Sequence, residues 1–210
     1  MAKSPETVFE FLHSLLEKAK PKAKLDVEEV AALAKKLDQL EALEKWDFAY
    51  YSELLKKEKY AFDEEELRPY FSLENVISGV FATASRLFGL RFVPNSEIPV
   101  YHPEVTAYEV YDRENQFLSV FYADFFPRPG KRHGAWMTSY RGQFQENGID
   151  HRPHVSIVCN FTKPTKTSPS LLTFNEVTTL FHEFGHALHG MLARGVYESL
   201  SGTSVFWDFV

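Results

Sequence analysis

The first 90 residues carry apolar positions at the spacing of amphipathic helices. Ser4 and Pro5 predict a helix start, because a capping hydroxyl precedes a proline at the first helical position. Apolar residues then recur on one face from Val8 to Ala19, and Pro21 is predicted to end this helix. Three further helices show the same spacing and are predicted at residues 26–37, 48–60 and 73–88. Ser72 is predicted to cap the last of these, and Gly89 to end it.

After Leu90 the spacing of apolar residues changes from a period near 3.6 to a period near 2, which is typical of β-strands. Residues 108–111 and 117–122 are rich in β-branched and aromatic residues, and the polar stretch between them predicts an antiparallel hairpin. A further strand at 154–159 is predicted to be an edge strand. It precedes a last helix, which begins with a capping box at 173–176.

These elements predict a mainly α protein with a small β-sheet, an α+β fold. The change of period at Leu90 is the one internal boundary. It divides the chain into a helical region at 1–90 and a region of sheet plus final helix at 91–210. A chain of 210 residues can bury a substantial core, either as one large domain or as two small ones.

Composition and charge argue against several classes of function. The net charge is −6, so the chain lacks the basic excess of a nucleic-acid-binding protein, and we expect no nucleic-acid partner. No apolar run approaches the length of a membrane span, and the first residues lack the hydrophobic segment of a signal peptide, so no membrane association is expected. The lone Cys159 cannot form an intramolecular disulfide, and a reducing compartment, the cytoplasm, is the predicted location.

The strongest chemical signal is the His-Glu-any-any-His stretch at 182–186, inside the last predicted helix. Helical residues four positions apart share a face, so His182 and His186 can direct their imidazoles at one metal ion, with Glu183 beside it. A zinc ion held by imidazoles lowers the pKa of a bound water to about 7, and an adjacent carboxylate can accept its proton. The pattern therefore predicts Zn²⁺ ligands at His182 and His186 and a general base at Glu183.

A catalytic zinc site usually takes three protein ligands, so the sequence must be searched for a third. His189 shares the general face of the two histidines, but ligands on consecutive helical turns would be strained, and a hydrogen-bonding role outside the ligand set is favoured. Glu198 and Asp208 are acidic candidates further along the chain. The longer metzincin signature is absent, because Leu192 stands where that signature requires histidine.

The stretch at 181–190, Phe-His-Glu-Phe-Gly-His-Ala-Leu-His-Gly, resembles the thimet oligopeptidase family of zinc peptidases. Within this family it is most similar to the branch of the bacterial dipeptidyl carboxypeptidases and oligopeptidase A. The likeness extends over nearly the whole chain, through the stretches at 46–51, 66–71, 122–128, 134–136, 158–161, 201–203 and 208–210.

The resemblance implies a zincin-like catalytic region in a two-lobed, mostly helical enzyme, whose deep channel admits short peptides. It assigns His182 and His186 as zinc ligands and Glu183 as the base, and it places the third ligand, a glutamate, directly after Asp-Phe-Val at 208–210. We therefore expect an internal fragment of a larger peptidase that is cut within the metal site, with both predicted regions in one catalytic domain.

The leading hypothesis is thus a zinc metallopeptidase that cleaves short oligopeptides, internally or by removing C-terminal dipeptides, and a fragment that is inactive without its third ligand. The alternative is a non-catalytic helical domain that binds a partner protein, with an incidental motif or a weak two-histidine metal site. The sequence does not decide which peptides would be cut.

Overall fold

A computed structural model describes residues 3–61, 64–206 and 209. The chain forms two compact units, divided in sequence between residues 63 and 64. Helices dominate and strands form one small sheet and a separate hairpin, so the prediction of a mainly α, α+β fold is confirmed. The predicted division of the chain at residue 90 stays a prediction.

The first unit contains two helices, α1 (Pro5–Asp38) and α2 (Phe48–Tyr60). They pack through a small apolar cluster built on Val30, Ala34 and Tyr51, each less than a tenth exposed. The start of α1 follows its sequence signal, because the Ser4 hydroxyl accepts a hydrogen bond from the backbone N–H of Thr7.

The prediction that Pro21 ends the first helix is wrong, because α1 continues to Asp38 and includes the helix predicted at 26–37. A proline inside a helix removes one backbone donor, but the surrounding alanines and lysines are strong helix formers that favour continuation. Ion pairs one turn apart, Lys22 with Asp26 and Lys24 with Glu28, add support just beyond the proline.

The second unit begins with a 3₁₀ helix at Glu64–Tyr70, followed by α3 (Leu73–Phe88) and, after the strands, by α4 (Phe174–Met191). A second 3₁₀ helix spans Glu198–Leu200. Seven strands lie between the two α-helices: β1 (Arg91–Pro94), β2 (Thr106–Tyr111), β3 (Phe117–Asp124), β4 (Trp136–Arg141), β5 (Phe144–Glu146), β6 (Ile149–His151) and β7 (His154–Val158).

Five of these strands form a mixed sheet in the order β1-β2-β3-β7-β4. The predicted hairpin is confirmed, since β2 and β3 pair antiparallel with Val110 opposite Ser119. The strand predicted at 154–159 exists as β7, but it is not an edge strand. It pairs in parallel with β3 and antiparallel with β4, which makes β4 the edge, and β5 and β6 form a separate hairpin.

The core of this unit lies between one face of the sheet and the helices α3 and α4. From the strands, Phe121, Val155 and Ile157 are at most 1% exposed, and from α4, Leu180 and Ala187 are equally buried. Leucine or phenylalanine side chains buried this fully contribute about 1.5–3 kcal/mol each, so this packing fixes α4 on the sheet. Within residues 3–61 and 64–206, no helix is both long and apolar enough to span a membrane.

Candidate metal centre

Helix α4 carries the His-Glu-any-any-His stretch, and its start is fixed by the predicted capping box. The Thr173 hydroxyl accepts from the backbone N–H of Glu176, and the Glu176 carboxylate accepts from the backbone N–H of Thr173. The same carboxylate also accepts from the backbone N–H of Thr162, at 2.9 Å, in the loop after β7. The first turn of α4 is therefore tied to the sheet as well as capped.

The buried side of α4 determines the direction of the histidines. Leu180, Phe184, Ala187 and Met191 face the core and are at most 3% exposed. The histidines lie on the opposite side of the helix, where His182 is exposed and His186 is half-buried. Packing by the apolar residues thus presents the motif on an accessible face, because helical residues repeat every 3.6 positions.

The Nε2 atoms of His182 and His186 lie 3.2 Å apart, and their ring planes are perpendicular. Two nitrogen atoms that bind one tetrahedral zinc at about 2.0–2.1 Å are separated by about 3.3 Å. The pair therefore fits a shared zinc ion. Among the residues that the structure describes, no cluster of three histidine, cysteine or acidic side chains surrounds this pair, so two ligands are present there.

Glu183 is buried, with 8% exposure, and adjoins His182 on the turn that packs toward the sheet. Its neighbour there is Cys159, which follows β7 and is fully buried. The pKa of the Cys159 thiol is raised to about 12, first by burial and second by the negative charge of Glu183. Glu183 thus lies on the side of α4 that packs toward the sheet, away from the accessible face.

Of the remaining candidates for a third ligand, Glu198 and His189 do not join the pair. The Glu198 carboxylate accepts a hydrogen bond from the backbone N–H of Gly142 at 2.8 Å, after the end of β4. The His189 ring lies 6.4 Å from the ring of Phe209, measured between centroids. Asp208 lies outside the described residues.

Strand β4, which the sequence analysis did not predict, lies alongside α4. A Cβ atom on Gly190 would come within 2.8 Å of the Met137 methyl carbon and 3.2 Å of Val155, so glycine permits a close approach of helix and strands. The alternation of apolar and polar residues along β4 is weak. Thr138 and Ser139 face opposite sides of the sheet, yet both are small and polar. A search for short polar strands next to the motif helix would have been needed to find it.

Comparisons with known proteins show the family of the chain. The model of peptidase family M3 matches residues 1–210. The chain is 43% identical to dipeptidyl carboxypeptidase of Escherichia coli and 40% identical to oligopeptidase A of Salmonella typhimurium, with the whole chain covered in both cases. It is 41% identical, over 79% of its length, to the thimet-like oligopeptidase of Dictyostelium discoideum.

The chain spans 31% of the length of the two bacterial relatives and 25% of the third. The resemblance noted in the sequence is confirmed, since the relatives are dipeptidyl carboxypeptidase and oligopeptidase A. The chain belongs to peptidase family M3.

Proposed function

We propose that the protein is a zinc-dependent metallopeptidase that hydrolyses short oligopeptides. The 3.2 Å separation of the His182 and His186 Nε2 atoms carries this proposal, because it matches the spacing of two ligands on one zinc ion. The buried Glu183 beside the pair supplies the carboxylate that the reaction needs. Membership of peptidase family M3 supports the class of reaction.

His182 and His186 would hold the zinc ion, which when bound supplies a Lewis acid for the scissile carbonyl and for water. Glu183 accepts a proton from the water molecule that attacks the carbonyl carbon. As the C–N bond breaks, the same carboxylate donates this proton to the leaving amine. Its position in the chain, directly after His182, places Glu183 beside the proposed metal ion for both steps.

Strand β4 offers a means of binding an extended peptide. Its inner side pairs with β7, whereas within the described residues no further strand pairs with its outer side. An edge strand binds a peptide through backbone hydrogen bonds, which accept many side-chain sequences. Short peptides of varied sequence are the substrates that we propose, in the cytoplasm and without a nucleic-acid or membrane partner.

The third zinc ligand is proposed to be the glutamate that the resemblance places directly after Val210. The two-histidine cluster supports this proposal, since a catalytic zinc normally has three protein ligands. A polypeptide limited to residues 1–210 would lack that carboxylate, and we expect it to bind zinc weakly and to be inactive.

The test is a cleavage assay on the longest natural protein that contains this chain. Short fluorogenic peptides are compared before zinc removal, after exhaustive chelation and after zinc is restored. A matched peptide with a blocked C-terminus separates internal cleavage from dipeptide removal. Chelation should abolish cleavage and zinc should restore it, whereas cleavage that persists in the zinc-free protein would refute the proposal and favour the non-catalytic, partner-binding alternative.

A further inference from the structure

Arg152 lies between β6 and β7, and its side chain links the start of β3 to the end of α4. Its Nε donates to the backbone carbonyl of Leu118 at 2.8 Å. Its Nη2 donates to the carbonyl of Met191 at 2.7 Å, and its Nη1 to that of Ala193 at 3.1 Å. The side chain is only 9% exposed, so these bonds form away from bulk water.

The bond to Met191, at the end of α4, has a specific physical role, and the bond to Ala193 extends it to the segment that follows. The last carbonyl groups of a helix have no partner inside the helix, and they carry partial negative charge. A guanidinium group donates hydrogen bonds to such carbonyls and carries the positive charge that a helix end favours. Its N–H groups lie in one plane, which fixes the direction of the carbonyls that it binds. Met191 is the last residue of α4 and lies about 7.5 Å along the axis from His186, at 1.5 Å per residue.

A second buried side chain extends the same network to the segment after α4. Gln143, 1% exposed, accepts from the backbone N–H of Gly195 at 2.6 Å and from the Ser201 hydroxyl at 2.8 Å. It donates to the Gly195 carbonyl at 2.9 Å and to Asp150 at 2.8 Å. Asp150 also accepts from Arg152 at 3.0 Å, so Gln143, Asp150 and Arg152 form one connected cluster.

Helix α4 is therefore held at both ends by polar groups, at its start by the capping box of Thr173 and Glu176 and at its end by Arg152. A small rotation or slide of the helix would move both histidines together, relative to the sheet and to the segment after α4. We propose that Arg152 is a positioning residue for the metal centre, which fixes the end of α4 and so the place of the His182–His186 pair relative to the segment after the helix, beyond which the third ligand is proposed. This inference rests on the proposed function.

The experiment uses the longest natural protein that contains this chain, with Zn²⁺ as the probe. Zinc affinity is measured by competition with a chelator at a temperature where every variant is folded. Arg152→Met should weaken zinc binding by about 10-fold, the low end of the loss for groups that bond metal ligands directly, because Arg152 acts through the end of the helix. Arg152→Lys should restore only part of the affinity, because one ammonium cannot reproduce the planar fork.

The matched control is Arg128→Met, which breaks a comparable buried pair with Asp124 at the end of β3, with a distance of 2.7 Å. It should lower the melting temperature without changing zinc affinity by more than about twofold. Amide hydrogen exchange at 187–191 provides a readout that needs no metal, and Arg152→Met alone should accelerate it.

Equal zinc affinity and equal exchange in Arg152→Met and Arg128→Met would overturn the inference and leave Arg152 a merely structural residue. If Arg152→Met does not fold, Gln143→Met gives the same comparison with a milder expected loss, less than about 10-fold. Unchanged zinc affinity in that variant would equally overturn the positioning role. A wild-type protein without stoichiometric zinc would refute the proposed function itself, and the positioning role with it.

Discussion

The imidazole planes of His182 and His186 stand at 90° to each other, with their Nε2 atoms 3.2 Å apart. One helical turn separates the two residues, so the backbone of α4 sets this geometry with little help from loops. The arrangement brings two ring nitrogens together on an accessible helix face. Their separation fits two ligands of one zinc ion.

Replacement of either histidine should abolish tight zinc binding. His186→Ala leaves a single imidazole on the helix face, and zinc affinity should fall by at least about 100-fold, beyond the usual loss for groups outside the ligand set. His13→Ala, at an exposed position of α1, is the control and should bind zinc as the unmodified protein does. Zinc content after dialysis is measured for both variants. Full zinc occupancy in His186→Ala would contradict the ligand assignment.

Glu183→Gln should separate catalysis from metal binding. The amide keeps the size of the side chain but cannot accept the proton, so peptide cleavage should fall by about 10²–10⁴-fold while zinc content stays unchanged. The matched variant Glu198→Gln keeps an oxygen that can accept from the Gly142 N–H, and its cleavage rate should stay within about twofold. Loss of zinc in Glu198→Gln would instead identify Glu198 as a ligand.

The Cys159 thiol should be inert in the folded protein. Its pKa of about 12 is caused first by burial and then by the nearby charge of Glu183, so almost no thiolate exists at neutral pH. Alkylation by iodoacetamide at pH 8 should be undetectable under native conditions and complete in denaturant, as followed by mass spectrometry. Rapid labelling of the native protein would show that the space between β7 and α4 is open to solvent.

The elements that local sequence determines were predicted well. The starts of α3 and α4 were read from Ser72 and Thr173, whose side chains accept the expected backbone bonds. Gly89 was read correctly as the end of α3, because its φ of 72° is a left-handed conformation that glycine adopts without strain. The spacing of the motif also predicted that His182 and His186 share one face of the helix, where their Nε2 atoms lie 3.2 Å apart. The roles of these histidines and of Glu183 stay predictions.

Features that depend on distant parts of the chain were not predictable in the same way. Nothing local to β7 shows that β4 joins it on the outer side, since strand order is a property of the whole sheet. Arg152 gives no motif, and its role appears only when β3 and the end of α4 come together around it. Pro21 was misjudged because the lysine- and alanine-rich sequence around it favours a continuous helix.

Asp124 should make the fold sensitive to acid. Burial alone would raise the pKa of its carboxyl, but hydrogen bonds from Arg128, Lys131 and Tyr101 outweigh burial and hold the pKa below its ordinary value. A lowered pKa in the folded state stabilises the protein above the pKa of the unfolded chain, about 3.9. This contribution is lost as the pH falls through the lower pKa of the folded state.

Asp124→Asn should therefore reduce the free energy of unfolding at pH 7 by about 3 kcal/mol, the scale for breaking a buried ion pair. Its stability should also depend less on pH below about 4. Asp26→Asn, which breaks an exposed pair with Lys22, is the control and should change the free energy by less than about 1 kcal/mol. Urea unfolding at several pH values measures the free energy of unfolding of both variants. Equal acid sensitivity of Asp124→Asn and the unmodified protein would exclude Asp124 as the origin of that sensitivity.

The shared metal ion is the central claim, and anomalous diffraction at the zinc absorption edge tests it most directly. Crystals of the longest natural protein that contains this chain would be grown with zinc, and data collected on both sides of the edge. One anomalous peak is predicted at about 2.0–2.1 Å from the Nε2 atoms of both His182 and His186. A zinc peak away from this pair, or one bound by only one of the two histidines, would contradict the account.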